Sequence, residues 1–460
     1  MIKPKSCKPI VMLILALSLF SCKKFVEIPP PLTQIAGSDV YSSDVTATSA
    51  VIGIYSQMIN TYPDFANGGI TLYAGLSADE FKNYILSGSQ PEFYSNALTS
   101  TNVYIKTLWS SAYNYIYSAN AILEGLEKSV GVTAGTKKQL QGEVTFIRAF
   151  CHFYLTNLFG DVPYIVTTDY RVTSVAPRIP RSEVYQKIIN DLLDAQNMLS
   201  VTYSYSNGER VRPNKWAATA LLSRVYLYLG DWIKAETQAS TVINNTSLFS
   251  LVNNLNNVFL KNSVESIWQL MPAQGTINTQ EGNRFILTSA PTSTDLSAQV
   301  FNAFELGDQR AVLGNWVQRI TVGANNYYFP YKYKVKTGST LTEYYMVLRL
   351  AELYLIRAEA RAQQNNISGS QADLNIIRTR AGLSNTTATD KPSLLLAVEH
   401  ERQVELFAEW GHRWLDLKRT NRATTILGPL KTGWQLTDEL YPIPLSQLQN
   451  DPNMSQNPGY

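Results

Sequence analysis

Cysteine and histidine are nearly missing from these 460 residues, with three of each. The cysteines are Cys7, Cys22 and Cys151; the histidines are His152, His400 and His412, far apart and without the short spacings of metal ligands. So thin a supply builds no disulfide framework, no metal site and no Cys–His nucleophile, and no cofactor is expected. Charge is scarce too. Asp, Glu, Lys and Arg make up 16% of the chain, against a usual ~25%. Residues 1–21 carry Lys3, Lys5 and Lys8 and no acid, so without them the 39 basic residues fall to 36, equal to the 36 acidic ones. A chain with no net charge lacks the basic surface that nucleic acid demands, and it lacks a polybasic membrane patch. Linkers are also missing. No Gly/Ser run or charge block divides a chain too long for the usual single core, so two interlocked lobes are expected, 41–245 and 246–460.

What is present is tyrosine, 27 of them, together with many Asn, Gln, Ser and Thr. Such a surface suits neutral, hydroxyl-rich partners or a large protein interface. The amino terminus reads as a targeting segment. Its three lysines precede an apolar run, Ile10 to Phe20, too short to span a bilayer, and the run ends in Leu19-Phe20-Ser21-Cys22. This resembles a bacterial lipobox, with residues 1–21 removed and Cys22 lipidated. Residues 22–40, with Pro29, Pro30 and Pro31, are expected to be an extended tether between lipid and fold. Cys151 then has no cysteine partner and reads as a small buried hydrophobe.

Helical periodicity dominates the rest. Asp44–Asn60, Val103–Leu126 and Lys137–Leu158 show it, the last ending at Phe159-Gly160-Asp161-Val162-Pro163, a stop signal. Ser182 is placed to cap a helix running to about Leu199. Pro213–Ile243 reads as helix, turn at Gly230-Asp231, helix, similar to a tetratricopeptide unit. The segments 103–158, 182–243 and 345–380 read as degenerate repeats of it. Two segments lose the helical period, 61–101 and 247–344; Ile267–Leu270 and Tyr327–Val335 within the second read as strands.

Ala397–Arg419 carries the most information. As one helix it places Leu395, Val398, Leu406, Trp410, Trp414 and Leu417 on a single stripe, with Arg402, Glu409, Arg413 and Asp416 among them. Charges on a core face must be paired, because a lone buried ion costs several kcal/mol. Glu409 and Arg413 are four apart with the acid first, and Arg402 can reach Glu405 or Glu409. A second mixed stripe, Arg349, Glu352, Leu353, Ile356 and Glu359 on a helix from Met346 to Ala360, is its expected docking partner. Glu401, Glu405 and Glu409 could supply a glycosidase-like carboxylate pair, but each has an arginine nearby, so a structural ion network is the preferred reading.

Together these motifs acquire a family likeness: the lipobox, Arg148-Ala149 with Phe159–Pro163, Ala220–Tyr226, Arg349–Glu359, Asp373–Arg378 with Arg380-Ala381-Gly382, Glu401 to Leu417, and finally Tyr441-Pro442-Ile443-Pro444 with Asn457–Tyr460. In this order, over essentially the whole chain after residue 21, they resemble the SusD/RagB family of outer-membrane lipoproteins. The resemblance implies a mostly α fold on four tetratricopeptide-like pairs, with loop-rich, short-stranded insertions. It implies no enzymatic activity, a SusC-like TonB-dependent transporter as partner, and an oligosaccharide ligand, or a peptide in the RagB branch. It also implies a lid role over that transporter and an outer-membrane, cell-surface location. Lys23-Lys24 departs from the acidic surface-export signal of such lipoproteins. A tetratricopeptide adaptor without a small ligand is the alternative from another class.

No family motif carries ligand contacts over, so these are read from chemistry. Aromatic rings outside the helices can stack on the C–H faces of sugars while amides bond the hydroxyls. The expected set is Tyr73, Phe81, Asn83, Tyr84 and Tyr94 in the first insertion, with Trp316, Asn326, Tyr327 and Tyr328 in the second.

Overall fold

The computed structural model describes residues 37–60, 64–272 and 275–460; the expected targeting segment, Cys22 and all but the end of the tether lie outside them. The described chain is mostly α-helical, with three two-stranded antiparallel sheets among the described residues.

Helices form where the apolar period places them. Asn102 opens Val103–Lys128 by accepting from the amides of Tyr104 and Ile105, donors a helix start leaves without partners. Ala134–Phe159 ends at Gly160, φ +78°. Ser182 is not a cap: the helix Arg181–Met198 starts one residue before it, after Pro180 and without a side-chain cap. Gly230, φ +75°, turns Lys215–Leu229 into Trp232–Ile243, which Asp231 then caps. Ala220, Ala235 and Ala239 are buried and small enough for these helices to approach closely. Each of these helices packs on the next, and the stack continues through Leu350–Gln363 to Ile367–Arg380. The tetratricopeptide-like reading therefore holds as a stack of successive hairpins.

Residues 244–349 interrupt that stack and carry most of the strands. β1 (Phe81–Asn83) pairs with β3 (Thr294–Leu296). β2 (Ser266–Leu270) pairs with β6 (Tyr345–Arg349). β4 (Val317–Val322) and β5 (Asn325–Pro330) form a hairpin. The first insertion is less irregular than its sequence suggests, since Gly69–Ser77 and Gln90–Ser95 are helical. All nine residues of Gly69–Ser77 are buried, so this helix has no polar face and no amphipathic period to read. One apolar cluster runs from Ala47 to Ile443, across both expected lobes, and a smaller one lies among residues 351–406.

Ala397–Arg419 is not one helix. Lys391–Leu406 ends, the chain turns a corner, and His412–Arg419 follows. Ala408, Trp410 and Gly411 have φ of +52°, +45° and +67°. The amide of Ala408 donates to the Glu80 carboxyl (3.1 Å) and that of Trp410 to Thr71 Oγ1 (2.9 Å), so bonds to the N-terminal region replace helical ones. At Gly411 an added Cβ would meet the Cβ of Ala74 at 2.6 Å.

The corner re-pairs the charges. Glu409 does not meet Arg413; it is held by Arg349 (2.7 Å) and Lys332. Arg413 instead holds Asp79 at 2.8 Å, and Arg402 holds Asp416 at 2.7 Å rather than Glu405 or Glu409. Glu352 binds Arg224 at 2.5 Å, not the 397–419 segment. Arg349 ends β6 instead of lying within a helix from Met346, and from there it also reaches Glu405 (2.6 Å) and Glu265 (3.1 Å). Arg310 and Arg380 bind Glu405 as well. Burial alone would raise the Glu405 carboxyl; Arg380, Arg349 and Arg310 hold it well below the usual carboxylate range. All six residues expected in the network are buried and paired, several of them with partners other than those expected.

Candidate functional site

β1 and β3 bring the two insertions together. Their register sets Lys82 opposite Asp295, and the amide of Tyr84 extends the ladder to the carbonyl of Ser293 (2.9 Å). β5 lies beside β3, so the tip of the β4–β5 hairpin faces Tyr84. Tyr84 and Tyr327 meet edge to face with ring centroids 6.3 Å apart, while Tyr328 stacks on Phe301 at 3.9 Å. These rings, with Asn302, Asn325 and Asn326, line an open cavity of about 590 Å³.

The tyrosines are half-buried and the three asparagines exposed. The hydroxyl of Thr321 donates to Asn326 Oδ1 (2.7 Å), which leaves the amide nitrogen of this exposed residue available to a ligand. The charged groups of the cavity are Lys82, whose Nζ lies 4.8 Å from the Tyr84 ring centroid, and Asp295. Asp295 is 6% exposed, and burial pushes its carboxyl up to about 6. Ring faces and free amides without a dominant charge suit a neutral polar ligand with apolar C–H faces. Among the described residues, no cluster of His, Cys, Asp and Glu is arranged to hold a metal ion, and no helix is long and apolar enough to cross a membrane.

Two family models match this chain. Residues 59–227 match a SusD-like family described as starch-binding and associating with the outer membrane, and residues 312–460 match the SusD family. A SusD-like protein of Formosa agariphila is 25% identical, with 96% of each chain covered. The starch-binding protein SusD of Bacteroides thetaiotaomicron is 25% identical over 73% of this chain and 75% of its own. A solved structure described as a laminarin-binding SusD-like protein superposes with a TM-score of 0.76 at 23% identity, covering 91% of this chain and all of that one. The chain belongs to the SusD/RagB family.

Of the contacts expected in this SusD-family chain, Tyr84, Asn326, Tyr327 and Tyr328 converge on the cavity. The others do not. Tyr73 is 1% exposed, stacked between Phe93 (4.6 Å) and Tyr104 (4.7 Å) in the helix the sequence hid. Phe81 is equally buried, against Phe285 at 4.8 Å. Trp316 is fully buried, its indole N–H bonded to the carbonyl of Leu255 (2.9 Å). These three rings present no face to a ligand. Asn83 spends its amide on the Ile85 carbonyl and on Gln90, turning the chain out of β1. Tyr94 is exposed but is not among the residues that line the cavity; its ring lies beneath the Lys431 ammonium.

The sequence reading missed Lys82, Asp295, Phe301, Asn302 and Asn325. Asn325, beside Asn326 and Tyr327, and Lys82, between Phe81 and Asn83, had the signal of position; the others had none. Asp295 and Phe301 lie more than 200 residues from Tyr84, and nothing local announces their meeting.

Proposed function

We propose that this protein is a non-enzymatic binding subunit that captures a neutral oligosaccharide at the Tyr84–Tyr327–Tyr328 cavity. The carrying observation is the convergence of three half-buried aromatic rings and three exposed asparagines from two distant insertions. The family description and the starch and laminarin relatives support the same ligand class. Stacking and a few hydrogen bonds on an open surface give affinities of roughly micromolar to millimolar. Calorimetry against starch- and laminarin-derived oligosaccharides checks this. Tyr327→Ala and Tyr328→Ala are each expected to weaken binding about tenfold, the worth of one lost aromatic contact. Full affinity in both variants would move the ligand elsewhere, and binding of short peptides with no glycan would replace the saccharide by a peptide.

The same reading makes the protein the lid subunit of a SusC-like outer-membrane transporter, anchored at the cell surface through an acylated Cys22. Its grounds are the lipobox at 19–22, the low surface charge and the family. Purification from membranes in mild detergent is expected to recover a β-barrel partner, and Cys22→Ala to abolish fatty-acid labelling. Equal labelling of variant and parent, or repeated recovery of the protein alone, would refute the respective half.

A further inference from the structure

Tyr84 and Asp295 give the cavity a direction. The Tyr84 hydroxyl donates to Asp295 Oδ2 at 3.1 Å. A phenol has a single proton, so while Asp295 is ionised Tyr84 Oη can offer a ligand only its lone pairs. Asp295 sits almost entirely beneath the cavity wall, and its other oxygen, Oδ1, has no hydrogen-bond partner. The groups that face it are few. β1 brings Lys82, opposite it in register, and Tyr84. β5 brings Tyr327 and Tyr328, and the helix Ala298–Ala303 brings no charge. The carboxylate is therefore opposed by one exposed ammonium.

We propose that Asp295 is the residue that sets the polarity of this site, holding Tyr84 as an acceptor so that the ligand must place a hydroxyl or amide N–H against it. A carboxylate or sulfate ester at that position finds lone pairs where it needs a donor. Protonation on Oδ2 reverses the bond: that carboxylic O–H donates to Tyr84 Oη, and the phenolic proton turns toward the cavity. Burial brings that protonation to about pH 6, so the switch lies within an ordinary titration. No proton or electron leaves the pair unaccounted for; one proton enters from solvent.

The inference rests on the oligosaccharide reading, and the test separates the two. The probes are laminarihexaose and maltohexaose, titrated by calorimetry from about pH 8 to about pH 5 against the parent, Asp295→Asn, Tyr84→Phe and Tyr328→Ala. A ligand hydroxyl that its other hydrogen bonds hold as a donor toward Tyr84 loses its acceptor on acidification, so the parent is expected to lose about tenfold in affinity over that range, the worth of one hydrogen bond. Asp295→Asn cannot ionise and should change less than about twofold. Tyr84→Phe lacks the acceptor, so it should bind about tenfold more weakly at the alkaline end and show no pH dependence. It also serves where Asp295→Asn alters folding. Binding that Tyr328→Ala weakens, with an unchanged pH profile in Asp295→Asn and Tyr84→Phe, overturns this inference alone. Failure of both sugars to bind, or full affinity in Tyr328→Ala, overturns the oligosaccharide reading and this inference with it.

Discussion

Replacing Arg349 by alanine is expected to lower the free energy of unfolding by about 3–5 kcal/mol, the usual result of removing one partner from a buried ion pair. Arg349 is 2% exposed and donates to Glu409 at 2.7 Å, to Glu405 at 2.6 Å and to Glu265 at 3.1 Å, as well as to the carbonyl of Glu405 at 2.8 Å. Arg310, Arg380 and Lys332 still reach Glu405, Glu265 and Glu409, but with Asp308 also to serve they cannot supply the positive charge and the hydrogen bonds that leave with Arg349. The three acceptors belong to two distant stretches, Glu265 in one and Glu405 and Glu409 in the other, so the variant loosens the joint between the insertion and the corner after Leu406. Urea unfolding monitored by tryptophan fluorescence measures this. A loss below about 1 kcal/mol would put Arg349 in the class of exposed pairs. Arg171→Ala, at a solvent-exposed pair with Asp169, is the control and should leave the midpoint where it was.

Trp316→Ala is expected to cost about 3–5 kcal/mol of stability through the cavity it leaves, while the folded fraction keeps its oligosaccharide affinity. The ring is fully buried, packs edge to face on Phe259 with centroids 5.7 Å apart, and lies beneath Lys332, Arg349 and Arg380 at 4.8–5.6 Å from its centroid. Its removal takes away both apolar contact area and the ring quadrupole facing three cations. Thermal unfolding and calorimetry on the same preparation separate the two effects. Lost affinity with unchanged stability would restore Trp316 to the ligand site, where its sequence context first placed it. The two variants bear on one object, since Arg349 and Trp316 touch, and their effects should not add.

Trp316 shows why five of the nine expected ligand contacts lay elsewhere. In sequence it precedes a strand-like aromatic run and sits outside any helical period, just as Tyr327 and Tyr328 do. The difference is that Trp316 lies at the foot of β4, where charged side chains from three other regions close over it, whereas Tyr327 and Tyr328 lie near the tip of the hairpin. Burial is a property of what the rest of the chain brings, and neighbouring residues do not encode it. Tyr73 was misplaced for the complementary reason. Its helix is buried on every side, and the amphipathic contrast that reveals a helix was missing.

Local interactions determined what the sequence alone could show. The helical stack was readable from the apolar period and from Gly160 and Gly230 at helix ends, and the structure adds Asn102, Asn214 and Asp231 as caps at helix starts. Each of these acts within about one turn of its own position. That charges on the 397–419 stripe must be paired was equally readable, because desolvation penalises any unpaired ion whatever the fold. Which charges pair was decided by the tertiary structure. Glu80 and Thr71 take the amides of Ala408 and Trp410, the helix breaks, and Glu409 and Arg413 turn to partners more than 50 residues away. The ligand cavity is tertiary in the same sense: Asp295 reaches Tyr84 only because β1 and β3 pair, and loop closure over some 200 residues leaves no trace in either segment's own composition.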